Sequence, residues 1–266
     1  MDKNENILSI KNLTINFGGL KALDDVFLDI APHSIVGLIG PNGAGKTTIF
    51  NAISGLVTPA SGSISLDGEK ISWPDSHQLP GFGISRTLQG VGLFSGLTVL
   101  ENVMMGGDVL SKSNFFKDIF GLAGKAEAEL RDKAEDALAW AGALSLAAKM
   151  PGELTYPETK RVSIARALVS NPRLLLLDEP AAGLGQDEID KFAALLHQLK
   201  RKCSILIVEH HVDFIGSISD HVYVLNFGKV ISSGTFDYVK RDPAVLAAYL
   251  GTSSQDGSQS LGGAHA

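Results

Sequence analysis

The chain has 266 residues, and 23 Lys plus Arg against 29 Asp plus Glu leave a formal net charge of −6. That length calls for one large domain or two subdomains, with enough chain to bury a core unaided by staples. The acidic balance argues against a general nucleic-acid binder, and the lone Cys203 excludes an internal disulfide and a Cys-rich zinc site and fits a reducing cytosol.

No apolar run approaches the ~18 residues needed to cross a bilayer, and the opening MDKNENILSI lacks a signal-peptide core, so the chain is expected in the cytosol unless a partner holds it at a membrane. The first 35 residues read as short strands: Leu8-Ser9-Ile10 alternates, Asn16 to Gly19 turns, and Val26 to Ile30 alternates again. Ser34 to Gly40 is an apolar run that suits a strand buried on both faces. A helix is expected from Lys46 to Leu56, ended by Pro59 and Gly62, and Ser63 to Gly68 alternates into a turn. Ala126 to Ala141 has the periodicity of an amphipathic helix, in a segment rich in Ala, Glu, Lys and Leu. Beyond it, Lys160 to Val169 is expected as a helix, Leu174 to Leu177 as a buried strand, Glu188 to Lys200 as a helix and Ile205 to Val208 as a strand. Cys203 opens this last apolar run and reads as a buried structural thiol. Residues 251–266 hold a single large apolar side chain and are expected to be a disordered tail. Alternating strands and helices imply an α/β fold with a parallel sheet, preceded by an N-terminal β part and interrupted by a helical subdomain.

Three constellations carry chemistry. Gly40-Pro41-Asn42-Gly43-Ala44-Gly45-Lys46-Thr47, followed by Thr48, matches the phosphate-loop pattern of two glycines flanking four residues and then Lys and Thr. Glycines let successive backbone N–H groups turn inward around phosphate oxygens, and the helix that follows offers its free N–H groups to the same anion. Lys46 places a point charge on the β/γ-phosphates, and the Thr47 hydroxyl can ligate Mg²⁺. Leu174 to Leu177 empties into Asp178-Glu179, at the strand end where a parallel sheet binds ligands. Asp178 suits Mg²⁺, and Glu179 can polarise an attacking water. Ile205 to Val208 ends in Glu209-His210-His211. A His there can bond a γ-phosphate or the water, although a lone strand-end His is more often a satisfied surface residue. Zinc is disfavoured for this pair, because neighbours on a strand point to opposite faces and no further His or Cys clusters nearby.

In this order the three elements resemble the ATP-binding subunits of ABC transporters, over Leu8 to Gly251. Within that family the chain looks most like the branched-chain amino acid transport ATPases, through Phe17-Gly18-Gly19-Leu20, Ile84 to Gln89, Ala181-Ala182-Gly183-Leu184 and the ending Asp242-Pro243 to Gly251. Urea-type and lipid-export ATPases share much of this pattern. The resemblance implies a P-loop NTPase core with an N-terminal antiparallel β part, in a single ABC ATPase domain over 1–250. Its core would comprise 1–89 and 160–250, with the helical subdomain over about 90–159. It implies adenine stacking on Phe17, a Q-loop glutamine at Gln89 that contacts Mg²⁺ or water beside the membrane-subunit interface, a switch histidine at His210 and a D-loop over Ala181 to Gly185. Lys46, Gln89, Glu179 and His210 are then the catalytic set, with Thr47, Gln89 and Asp178 about the metal.

The signature segment departs from the family pattern. It reads Leu154-Thr155-Tyr156-Pro157-Glu158, with Thr155 and Glu158 expected to serve ATP on the opposite subunit and Pro157 in place of a glycine. Proline has no N–H to offer a γ-phosphate, and a lost oxyanion donor costs roughly 2.7–4 kcal/mol of transition-state stabilisation. Gly185 also stands where relatives carry Asp or Asn. The function implied is ATP hydrolysis that energises a membrane importer of branched-chain amino acids or a similar small polar solute. Transmembrane permease subunits and a second ATPase subunit, in a homodimer or a heterodimer, are the implied partners, with a solute-binding protein indirectly and no nucleic acid. The chain would then lie in the cytoplasm, peripheral on the inner face of the cell membrane. The alternatives are a urea-type or lipid-export ATPase, or a soluble regulator; the last usually carries two nucleotide domains or a long coiled coil, and this chain has one phosphate loop.

Overall fold

The N-terminal alternation builds a long hairpin in the computed structural model, which describes residues 6–87, 92–107 and 123–253. Strands β1 (Leu8–Phe17) and β2 (Leu20–Ile30) pair antiparallel from Leu8↔Ile30 to Phe17↔Leu20, around the Gly18-Gly19 turn. On its other edge β1 takes β4 (Ser61–Leu66), which pairs with β5 (Glu69–Ile71), so this antiparallel sheet runs β2-β1-β4-β5.

The continuous apolar runs lie in a second sheet. Strands β3 (Ile35–Ile39), β7 (Leu174–Asp178) and β8 (Ser204–Val208) are buried at every residue. With β6 (Ile84–Arg86), β9 (His221–Asn226) and β10 (Lys229–Gly234) they form the order β10-β9-β3-β8-β7-β6. All neighbours from β9 to β6 are parallel, and only the β9–β10 hairpin is antiparallel. The two-residue period splits each central strand between two cores. Val36, Leu38, Leu174, Leu176, Leu206 and Val208 face the antiparallel sheet and helix α1 (Lys46–Ile53). Ile35, Ile39, Leu175, Leu177, Ile205 and Ile207 face the remaining helices. Each such side chain, fully buried, contributes about 1.5–3 kcal/mol.

Helix α1 stops at Ile53, short of the expected Leu56. Gly55 turns left-handed at φ +68°, and a Cβ there would lie 2.3 Å from Pro74 O, so the chain must leave the helix at this point. Helices α2 (Val99–Gly107), α3 (Ala123–Trp140) and α4 (Tyr156–Leu168) pack against one another. Buried Asn102 stitches the approach to α2: its Oδ1 accepts from Phe94 N–H at 2.7 Å, and its amide donates to Leu97 O and Thr98 O. Helix α4 begins four residues before the expected Lys160. Thr155 caps it with Glu158, and Pro157 sits in the first turn, where a missing N–H breaks no helical bond. Helices α5 (Gln186–Leu199), α6 (Val212–Ile218), α7 (Phe236–Val239) and α8 (Pro243–Ser253) complete the described chain. Helix α8 runs to Ser253, and the rest of the segment expected as a tail lies outside the described residues. Among the described residues no helix is long and apolar enough to cross a membrane.

Cys203 is buried, and desolvation pushes its thiol up to about 12. Because the folded value lies above the ordinary 9.0, the contribution to stability is complete below pH 9 and is lost as pH rises toward 12. At pH 8 the native chain should therefore resist iodoacetamide, and the urea-unfolded chain should alkylate at Cys203. Equal labelling rates in the two states would contradict this burial.

Candidate functional site

The β3–α1 connection is built to leave backbone N–H groups unpaired by side chains. Gly40, Gly43 and Gly45 adopt φ values of +151°, +76° and +107°. A Cβ at Gly40 would lie 2.1 Å from Leu225 O, whereas one at Gly43 would meet nothing within 4 Å, so the loop is wedged on its inner side and open on its outer side. Lys46 is buried and folds back, donating from Nζ to Gly40 O at 2.7 Å and to Pro41 O at 2.9 Å. Burial pushes its ammonium below the ordinary value, against the opposing pull of Glu179 and Asp178. Asn42 to Thr48 line a cleft of about 420 Å³ together with Glu179 and His210. The loop and both of these strand-end groups therefore share one space.

The other side of the cleft comes from neighbouring strand ends. Strands β7 and β8 pair with Asp178 opposite Val208, so the residues that follow each strand emerge side by side. Glu179 N–H donates to Val208 O at 2.9 Å, and Glu179 takes φ +48°, a left-handed conformation uncommon outside glycine. His210 Nε2 lies 2.7 Å from Glu179 Oε1. Asp178 is buried below them, its Oδ2 paired with Arg86 at 2.9 Å. Arg86 in turn donates to Asn51 Oδ1 and Ser54 Oγ. Asp178 Oδ1 is buried and has no hydrogen-bond partner among the described residues. A buried orphan acceptor beside a phosphate-type loop, with the Thr47 hydroxyl exposed in the cleft, fits a hydrated divalent cation.

Glu209, which the sequence reading passed over, is only 3% exposed. Its Oε1 accepts from Ala181 N–H at 2.7 Å and its Oε2 from His210 N–H at 3.1 Å. Burial raises its carboxyl above the usual range, the N–H groups of Ala181, His210 and His211 pull it back, and the Glu179 charge adds to the rise. The sequence signal was present, as a carboxylate that directly continues a fully buried strand.

Phe17 is half exposed at the end of β1 and is not among the residues that line the cleft. Leu20 and Phe227 do line it, and Phe227 is 87% exposed. Phe227 lies in the β9–β10 turn at φ +44°, and that turn is anchored: Gly228 N–H donates to Ala44 O, and Asp24 N–H to Gly228 O, both at 2.9 Å. Gln89 lies outside the described residues. Thr155 and Glu158 stand apart from this cleft, engaged with each other. Thr155 N–H and Oγ1–H both donate to Glu158 Oε2, at 2.7 and 3.0 Å, and these bonds hold the Glu158 carboxyl below the usual range. The next residues reach the loop after β7: Tyr156 OH donates to Ala182 O at 3.1 Å.

Comparison with known proteins gives the arrangement its family. Residues 23–182 match the family model described as "ABC transporter", and residues 229–254 match "Branched-chain amino acid ATP-binding cassette transporter". The high-affinity branched-chain amino acid transport ATP-binding protein BraF of Pseudomonas aeruginosa is 38% identical, over 92% of this chain and 98% of its own. The high-affinity branched-chain amino acid transport ATP-binding protein LivG of Escherichia coli is 37% identical over the same shares. Among solved structures, a nucleotide-free ATP-binding cassette from an ABC transporter superposes with a TM-score of 0.80 at 30% identity, covering 92% of this chain and 98% of that one. The chain belongs to the ABC transporter ATP-binding protein family and is an ATPase subunit.

Proposed function

We propose that this chain hydrolyses ATP to drive a membrane permease that imports a branched-chain amino acid or a similar small polar solute. The observation that carries this reading is the cleft itself, which joins the phosphate loop to the Glu179–His210 pair at 2.7 Å. The backbone N–H groups of Gly43 to Thr47 bind the phosphates, and Lys46 exchanges its two carbonyl partners for phosphate oxygens. Glu179 takes the proton of the attacking water, and His210 holds the carboxylate by its Oε1. Thr47 and Asp178 would hold Mg²⁺, which neutralises charge on the phosphates when bound. The nucleobase rests at the apolar mouth formed by Leu20 and Phe227, beside Phe17. His211 takes no part in this scheme.

The signature segment bears on the choice of partner. Pro157 stands in the first turn of α4, so that helix end offers one N–H fewer to an ATP held by a second subunit. We infer pairing with a different, homologous ATPase whose signature keeps its glycine. The site made by this chain's Lys46 and Glu179 then turns over, and the site completed by Pro157 binds ATP and turns over slowly. Permease subunits place the pair at the membrane surface.

Glu179→Gln should lower kcat by about 10²–10⁴-fold while ATP binding persists, read by steady-state ATPase and by titration calorimetry. Unchanged turnover would remove Glu179 from the chemistry. In the same variant, light scattering with Mg-ATP should show monomer alone and a dimer once the homologous ATPase is added. An ATP-dependent homodimer would show that Pro157 is tolerated. Phe227→Ala and Phe17→Ala should each weaken ATP binding about 2- to 10-fold and leave tripolyphosphate binding unchanged. Parallel losses for both ligands would place the rings elsewhere than at the base.

A further inference from the structure

The Glu179–His210 pair is only partly enclosed by its surroundings. The two side chains are 30% and 45% exposed, so the backbone that carries them bears on their alignment. The backbone of Glu179 is in a left-handed conformation that a non-glycine residue keeps only where the surroundings over-determine it. One restraint is the strand pairing itself, Glu179 N–H to Val208 O at 2.9 Å, and another lies within the turn, Ala182 N–H to Glu179 O at 3.3 Å. Tyr156 OH and Lys160 Nζ also reach this turn from α4, but both donate to its carbonyls. Leu184 N–H closes the turn on Ala181 O at 3.1 Å, and a side-chain restraint comes from the residue that follows β8. Glu209 Oε1 takes Ala181 N–H at 2.7 Å, and Oε2 of the same carboxylate takes His210 N–H at 3.1 Å.

We propose that Glu209 is a positioning residue for hydrolysis, whose buried carboxylate clamps the loop after β7 to the loop after β8 and so sets the Glu179–His210 alignment. The inference rests on the proposed function of the cleft. Burying a carboxylate is costly, and an apolar residue would pack a central strand end at lower cost. What an apolar residue cannot do is accept N–H groups from two loops at once. Glutamine has the same shape but only one acceptor oxygen, and its NH₂ would face a backbone N–H. Aspartate keeps the charge and loses a methylene of reach.

Full-length Glu209→Gln is compared with the parent in amide hydrogen exchange, ATP affinity and kcat. Exchange over residues 179–185 should quicken about 10-fold or more in the nucleotide-free chain, with residues 174–177 unchanged. ATP affinity should stay within about 3-fold, and kcat should fall about 10-fold or more with little change in KM. The double variant E209Q/H210A should lose no more kcat than H210A alone, because Glu209 acts through that alignment. Unchanged exchange with kcat within about 2-fold of the parent overturns the proposal, as do losses that multiply in the double variant. Should Glu209→Gln fail to fold, Glu209→Asp carries the same expectations and the same refutation. If the parent shows no Glu179-dependent turnover, the reading of the cleft fails, while the exchange result still decides whether Glu209 clamps the loops.

Discussion

The parallel pairing of β7 with β8, in a register that sets Asp178 against Val208, is the constraint on which the rest of the site depends. Both strands are buried along their whole length, so neither can slip without moving a full set of Leu and Ile side chains to the wrong core. The chain turns polar at the ends of both strands while still buried, with Asp178 and Glu209, and the partly exposed groups Glu179 and His210 follow directly. β3 lies on the other side of β8 with the same direction, so the phosphate loop emerges on the same edge. Parallel sheets concentrate strand ends in this way, and here that edge collects a lysine, three carboxylates and a histidine from segments far apart in sequence.

Much of this was legible because it is local. The hairpin turn, the buried strands, the Gly-rich loop and the acids that follow an apolar run all involve neighbours in sequence. The buried thiol could also be read from its apolar context. What escaped depends on distant partners. Arg86 lies in a segment quoted for its family pattern, yet nothing near it points to Asp178, which is 92 positions away. Asn102 looks like an ordinary polar residue of a helix until the loop before it folds back on its amide. Phe227 reads as a turn residue, and only the docking of that turn on Ala44 and Asp24 brings it to the cleft. The early start of α4 was missed for another reason. Periodicity begins at Lys160, but capping chemistry begins at Thr155, and Pro157 is a helix starter as well as a lost donor.

That double character of Pro157 separates the two halves of the molecule. The phosphate loop, acids and histidine are complete within one chain. The α4 terminus is internally satisfied: Thr155 and Glu158 bond each other, and Tyr156 ties the helix to Ala182. Lys160 lies over the Tyr156 ring and extends toward Glu179 O. A displacement of α4 by anything bound at its N-terminus is therefore passed to the turn that carries Glu179.

The folded-back Lys46 has a consequence for selectivity. Its ammonium already donates to Gly40 O and Pro41 O, and the residue is largely buried. An anion that enters the loop competes with two carbonyl dipoles fixed at hydrogen-bond distance. A chain of linked phosphates spans the N–H groups and the ammonium together. The loop thus favours ligands with several charges in line, which offset the two carbonyl bonds and engage the N–H groups at once.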